Sequence, residues 1–258
     1  MEIRIRGVRI SYTEHGQGLP LIALHGAGVD HRDIEAGLEP MLPAGYRRIY
    51  PDLPGMGRTT ADGLGSNNDV VTLLSDFLDE VSDEPVLLVG HSYGAYLARA
   101  LAARRPDKVR GLALLCPFAD GLRSVPEQHA VRSDENTYDE LEPESRAGFD
   151  EYFVVRTSAT ARRYRDSVEP GTRLVDEAAL QRIFAGWTLD FGDTRYSRPA
   201  LIVAGRQDST VGFLSATDLL EQYPNGTLAV LDGAGHALVH EQPELVAALL
   251  DDWLNRTA

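Results

Sequence analysis

Residues 86–106 read VLLVGHSYGAYLARALAARRP, a serine held between two glycines where an apolar run passes directly into an Ala-, Leu- and Arg-rich segment. A strand that enters a helix within a few residues must turn sharply. Its apex residue is strained and projects outward, and small neighbours such as Gly90 and Gly94 let strand and helix approach. A serine there stands beside a helix N-terminus, where oriented amides favour negative charge. Ser92 is therefore the candidate nucleophile; the plainer alternative is an N-cap on an ordinary crossover helix. A serine hydroxyl is a weak nucleophile and needs a base, which a third group must orient.

Of the seven histidines, His236 lies on a glycine-rich loop, LDGAGHALVHEQPE, just after the last apolar run. His240 is its nearest rival but is placed in the following surface segment. His91 adjoins Ser92 and should point elsewhere, His25 opens an HGAG turn and should brace it, and His15, His31 and His129 read as surface residues. For the acid, Asp208 follows the run ALIVAG in GRQDS. Asp120, after GLALLC, is the serious rival; Asp193 and Asp232 are weaker. A tetrahedral intermediate also needs two preplaced amides for its oxyanion. The Tyr93 N–H is one candidate, and the Ala27 N–H of the HGAG turn is the other; an ordinary glycine turn is the alternative for HGAG.

The elements that must position these residues alternate. Residues 2–6 and 8–13 form an edge hairpin. LIAL (21–24), residues 47–50, VLLV (86–89), LALL (112–115), LIVA (201–204) and LAVL (228–231) read as strands. VLLV is apolar on both faces, which suits a central parallel strand covered on both sides. Helices are expected from Asp33, over Asn67–Val81 with an asparagine cap, over Gly94–Arg105 and over Pro243–Leu254. PDLPGMGRT (51–59) is a Pro/Gly-rich loop. The alternation implies a mostly parallel α/β sheet. It breaks between Phe118 and Ser197, where no strong buried strand appears and ten of the chain's 19 aromatics gather (2 Trp, 10 Tyr and 7 Phe in all). This reads as a helical insertion over the sheet's C-terminal edge. Its aromatics either line a pocket, with Trp187 and Phe191 the candidates, or build the insertion's own small core. The Arg-rich ARRYRDSV reads as a solvated helix face.

The composition, 43% hydrophobic and 25% charged over 258 residues, is that of a globular domain. A formal charge of −14 disfavours nucleic acid and anionic membranes as partners. Cys116 is the only cysteine, so no internal disulfide forms and a cytoplasmic home is expected. MEIRIRGVRI has no signal-peptide h-region, and no apolar run has the length of a membrane span. Oligomeric state is not legible.

LIALHGAG, YPDLPGMGRT, VLLVGHSYGAYLARALAARRPDKVRGLALL, ALIVAGRQD, LAVLDGAGHALVHEQPE and the final helix together resemble the α/β-hydrolase superfamily, in family order. The chain order Ser, Asp, His is that of its triads. The resemblance implies an eight-stranded sheet with the second strand antiparallel, a core of residues 1–117 and 198–258, and a helical cap of residues 118–197. It implies Ser92 as nucleophile, Asp208 as acid, His236 as base and Ala27 and Tyr93 as oxyanion donors, with no cofactor or metal. The serine sets the chain apart from haloalkane dehalogenases and epoxide hydrolases, which use aspartate. HGAGV in place of HGGPG disfavours proline iminopeptidase activity. What remains is a hydrolase of a small carboxylic ester, lactone or thioester; haloperoxidase-like and hydroxynitrile lyase chemistries are further options on this scaffold. A C–C bond hydrolase of vinylogous diketones is the closest enzymatic alternative, and a ligand-binding receptor on the same fold the non-enzymatic one.

Overall fold

The computed structural model describes residues 1–118, 124–191 and 195–257. Asp120 and Asp193 lie outside them. Eight strands form one sheet: β1 Glu2–Ile5, β2 Val8–His15, β3 Leu19–Leu24, β4 Tyr46–Pro51, β5 Val86–His91, β6 Val109–Leu115, β7 Ala200–Gly205 and β8 Gly226–Leu231. Their spatial order is β1-β2-β4-β3-β5-β6-β7-β8. β2 runs antiparallel to both neighbours and every other pairing is parallel. β5 is buried at every residue, as its unbroken apolar run requires of a strand covered on both faces.

Helices α1 (His31–Leu38), α2 (Asn67–Val81) and α3 (Tyr93–Arg104) follow β3, β4 and β5. One layer of core joins α2 and α3 to the sheet through residues such as Val70, Phe77, Leu97 and Leu101. The other packs Ile34, Leu38, Leu250 and Trp253 against the opposite face, on α1 and the C-terminal helix Pro243–Thr257. Two boundaries differ from expectation. α1 starts at His31 because the Asp30 carboxylate accepts the Arg32 N–H, and Ser66, one residue before Asn67, caps α2 by accepting the Asp69 N–H.

Between β6 and β7 lie short helices: α4 (Arg146–Tyr152), α5 (Ser158–Arg163), α6 (Glu169–Thr172) and α7 (Glu177–Ala185). A two-residue parallel ladder, Arg132–Ser133 with Val155–Arg156, is their only strand pairing among the described residues. Phe149, Phe153 and Tyr164 form a buried cluster here that also takes in Val29 and Ala237 from the sheet's loops. The aromatics thus divide. These three build a core for the insertion, whereas Phe118, Phe184, Trp187 and Phe191 pack on Tyr93 and Tyr96 of α3. After β7 come α8 (Leu214–Asp218), β8, α9 (Leu238–Glu241) and α10 (Pro243–Thr257). Among the described residues no helix is long and apolar enough to cross a membrane.

Candidate active site

Ser92 occupies the N-cap position of α3 with φ 52° and ψ −114°. A non-glycine residue there is strained by about 1–3 kcal/mol and persists only where its surroundings enforce it. The surroundings do so through contact distances. A Cβ on Gly90 would lie 2.4 Å from the Gly94 carbonyl oxygen, and one on Gly94 would lie 2.2 Å from that of Leu24. Strand β5, helix α3 and the end of β3 therefore meet at a spacing only glycine allows, and Ser92 is left at the apex. The Ser92 N–H donates to the Leu115 carbonyl at 2.9 Å, tying the apex to β6.

The loops after β7 and β8 bring Asp208 and His236 together. His236 Nδ1 lies 2.8 Å from Asp208 Oδ2, and the carboxylate's other oxygen accepts the Thr210 and Val211 N–H groups, both at 2.9 Å. Burial pushes the Asp208 carboxyl up, but the His236 charge, its hydrogen bond and the two amides outweigh it and hold the carboxyl below its ordinary value. Burial likewise opposes charge on His236, and the Asp208 carboxylate more than offsets it, so its pKa is raised. An aspartate that accepts the Nδ1 proton leaves Nε2 as the basic nitrogen. Among the described residues the Ser92 hydroxyl makes no hydrogen bond. General-base contacts are commonly loose without substrate and tighten around it.

The HGAG turn lies directly against the apex. A Cβ on Gly26 would sit 3.5 Å from Ser92 Cβ and 3.2 Å from His91 Nδ1. His25 braces the turn: its Nε2 accepts the Leu53 N–H at 2.8 Å and its Nδ1 donates to the Gly26 carbonyl at 2.7 Å. Among the described residues neither the Ala27 nor the Tyr93 N–H has an acceptor.

The remaining acids and histidines fall as follows. Asp232 is exposed beside Arg206. His31 is not a plain surface residue, since its Nδ1 reaches Asp52 Oδ1 at 2.6 Å. His240 is not on the surface either. Its side chain is buried with Nε2 2.9 Å from Asp33 Oδ1, while Tyr152 from the insertion donates to Asp33 Oδ2 at 2.9 Å. His91 does point away from the serine hydroxyl's partners; its Nε2 donates to the His236 carbonyl at 2.8 Å, and burial with the His236 charge pushes its pKa down to about 4. Among the described residues two clusters have the spacing of metal ligands, His91–Cys116–His236 and Asp30–His31–Asp52. In each, donor atoms are already engaged: His236 Nδ1 on Asp208, Cys116 Sγ toward the His236 carbonyl, His31 Nδ1 on Asp52, and Asp30 on Arg32.

Sequence reasoning missed Glu241. It is buried on α9 and accepts three backbone N–H groups, from Val154, Val155 and Gly235. The chain offered only an acidic residue five positions after His236, with nothing to indicate that it folds back.

A sheet with one reversed strand, an inserted helical region and a strained serine at the end of β5 define a hydrolase architecture. The chain belongs to the alpha/beta hydrolase family, whose model matches residues 21–249. It is 26% identical to the 2-hydroxymuconate semialdehyde hydrolase of Pseudomonas putida, over 98% of this chain and 93% of that one. It is 24% identical to a monoacylglycerol lipase of Bos taurus, over 97% and 83%. An alpha/beta superfamily hydrolase of Oenococcus oeni PSU-1 superposes with a TM-score of 0.89 at 27% identity, covering 100% of this chain and 99% of that one.

Proposed function

We propose that this protein is a serine hydrolase that cleaves a small carboxylic ester, lactone or thioester through an acyl-enzyme on Ser92. His236 Nε2 takes the serine proton as Oγ attacks the carbonyl carbon, and Asp208 stabilises the resulting imidazolium. The Ala27 and Tyr93 amides receive the oxyanion. The imidazolium then gives its proton to the leaving alcohol or thiol, and a water activated by the same base releases the acid and frees Ser92. The observation that supports this reading best is Ser92 held at φ 52° on the end of β5, with the bonded Asp208–His236 pair on loops at the same sheet edge.

In the same reading residues 1–117 and 198–258 are the catalytic core and 118–197 the cap that chooses the substrate. Trp187, stacked on Tyr96, and Phe191, edge to face with it, contribute there, three residues beyond Tyr93 at the start of α3. A cytoplasmic setting belongs to it too and rests on the single, buried Cys116. The second reading, C–C bond hydrolysis of a vinylogous diketone on the same residues, is favoured by the 26% identity to a 2-hydroxymuconate semialdehyde hydrolase.

The test is a substrate panel of p-nitrophenyl esters, lactones and dienoate diketones together with a fluorophosphonate. Ser92 should label, Ser92→Ala should not, and turnover on a good ester should reach about 1 to 10³ s⁻¹. Faster cleavage of the diketone than of any ester selects the second reading. Labelling without turnover on any class, with saturable ligand binding, selects a receptor.

A further inference from the structure

Glu241 stands between two parts of the molecule that the chain keeps far apart. Its Oε2 accepts the Gly235 N–H at 2.6 Å, one residue before His236. Its Oε1 accepts the Val154 N–H at 2.7 Å and the Val155 N–H at 3.2 Å, on the segment that follows α4 in the insertion. The two segments also touch directly, since a Cβ on Gly235 would lie 2.9 Å from Val154 Cγ1. A carboxylate is suited to this place because it is acceptor-only and divides its lone pairs between two oxygens. An amide in its place would set an NH2 donor against one of the N–H groups that the carboxylate accepts. Charge-assisted bonds to backbone amides are the stronger kind, and one lost here leaves a buried donor unpaired.

A second tie joins the same segment to the core independently, from Tyr152 Oη to Asp33. It reaches α1 at Asp33, whose other oxygen meets His240 on α9, so it bears on the His236 loop only through that further contact, whereas Glu241 bonds the Gly235 N–H directly. The two ties can therefore be cut separately.

We propose that Glu241 is a positioning residue that sets the His236 loop and the insertion's Tyr152–Val155 segment in one register. The placement of the base then depends on how the insertion is seated. The inference rests on Ser92 and His236 acting as nucleophile and base.

The experiment uses the full chain and compares Glu241→Gln, Glu241→Asp and Tyr152→Phe with wild type. Three quantities are read: the rate at which a small fluorophosphonate labels Ser92, the ratio of kcat/KM on a long-chain to a short-chain p-nitrophenyl ester, and the unfolding midpoint. Glu241→Gln should slow labelling by about tenfold or more, since a misplaced reacting group of this kind is worth up to about a hundredfold, and it should also shift the ester ratio. Tyr152→Phe should shift the ratio and leave labelling within about threefold of wild type. Glu241→Asp, which keeps the charge on a shorter arm, should recover part of the labelling rate; if Glu241→Gln does not fold, Glu241→Asp against Tyr152→Phe makes the same decision. A labelling rate in the Glu241 variants equal to wild type, or matched by Tyr152→Phe, overturns the proposal while the hydrolase reading stands. A wild-type chain that does not label at Ser92 overturns both.

Discussion

At the scale of single residues the site turns on the Asp208–His236 pair, and its behaviour with pH follows from opposing causes. In the proposed mechanism His236 acts as base when neutral. Its folded pKa is raised above the ordinary 6.5 because the Asp208 carboxylate overcomes burial. Fluorophosphonate labelling of Ser92 should therefore rise with pH through an apparent pKa above 6.5. Asp208→Asn removes the raising charge and leaves the lowering effect of burial, so the apparent pKa should fall. The rate should drop on the order of a thousandfold or more, because the tautomer is no longer fixed. A variant that keeps near-wild-type turnover would mean that another group orients the imidazole. His91 does not complicate the profile: with its pKa near 4 it stays neutral throughout the working range.

At the scale of elements the insertion is the part to which the proposed function assigns the choice of substrate. Trp187 stacks on Tyr96 with centroids 5.2 Å apart and keeps 39% of its surface exposed, and the Tyr96–Phe191 centroids lie 5.3 Å apart, edge to face. Replacing Trp187 and Phe191 by Ala should change relative rates across an ester series more than the rate on the smallest acetate. A uniform loss that follows the melting temperature would make them structural. Strand β5 and helix α2 were legible in the sequence because an unbroken apolar run and a 3.6-residue apolar period are local signals. Ser92 was legible because strand, turn and helix are contiguous there. His240 was not, because its partners are Asp33, far earlier in the chain, and the Phe153 ring of the insertion. The cap of α2 was misplaced by one residue because Ser66 and Asn67 are both good capping types and only the backbone decides between them.

For the molecule as a whole, buried ionisable groups shape stability against pH. Buried His25 and His91 have lowered pKa values and cost stability as pH falls from 6.5 toward their folded values, while His31 and His236 are raised and contribute stability that is complete below 6.5 and lost as pH rises through their folded values. Asp33, Asp52 and Asp208 have folded values below the ordinary 3.8. Their contribution is present above 3.8 and is lost as pH falls through the lower folded values. The unfolding midpoint should therefore drop most steeply in that acid range, where these carboxylates titrate together, and urea titrations at successive pH values check it; a steepest loss just below 6.5 would make His25 and His91 the dominant groups.

The chain has two tryptophans, and they report on different events in time. Trp253 is fully buried between α10 and the sheet, with Nε1 donating to the Pro199 carbonyl, while Trp187 lies in the insertion, packed on α3. Val29 follows the HGAG turn and Ala237 follows His236, and both are part of the insertion's buried aromatic cluster. The two loops of the site thus complete their packing only once a segment inserted between β6 and β7 has closed back over them, and docking across such sequence separation is slow compared with local structure. During refolding, the fluorescence of Trp253, read alone in Trp187→Phe, should recover first. Trp187, read alone in Trp253→Phe, should recover later and in step with Ser92 labelling. If all three signals return in one phase, the sheet and the site form together.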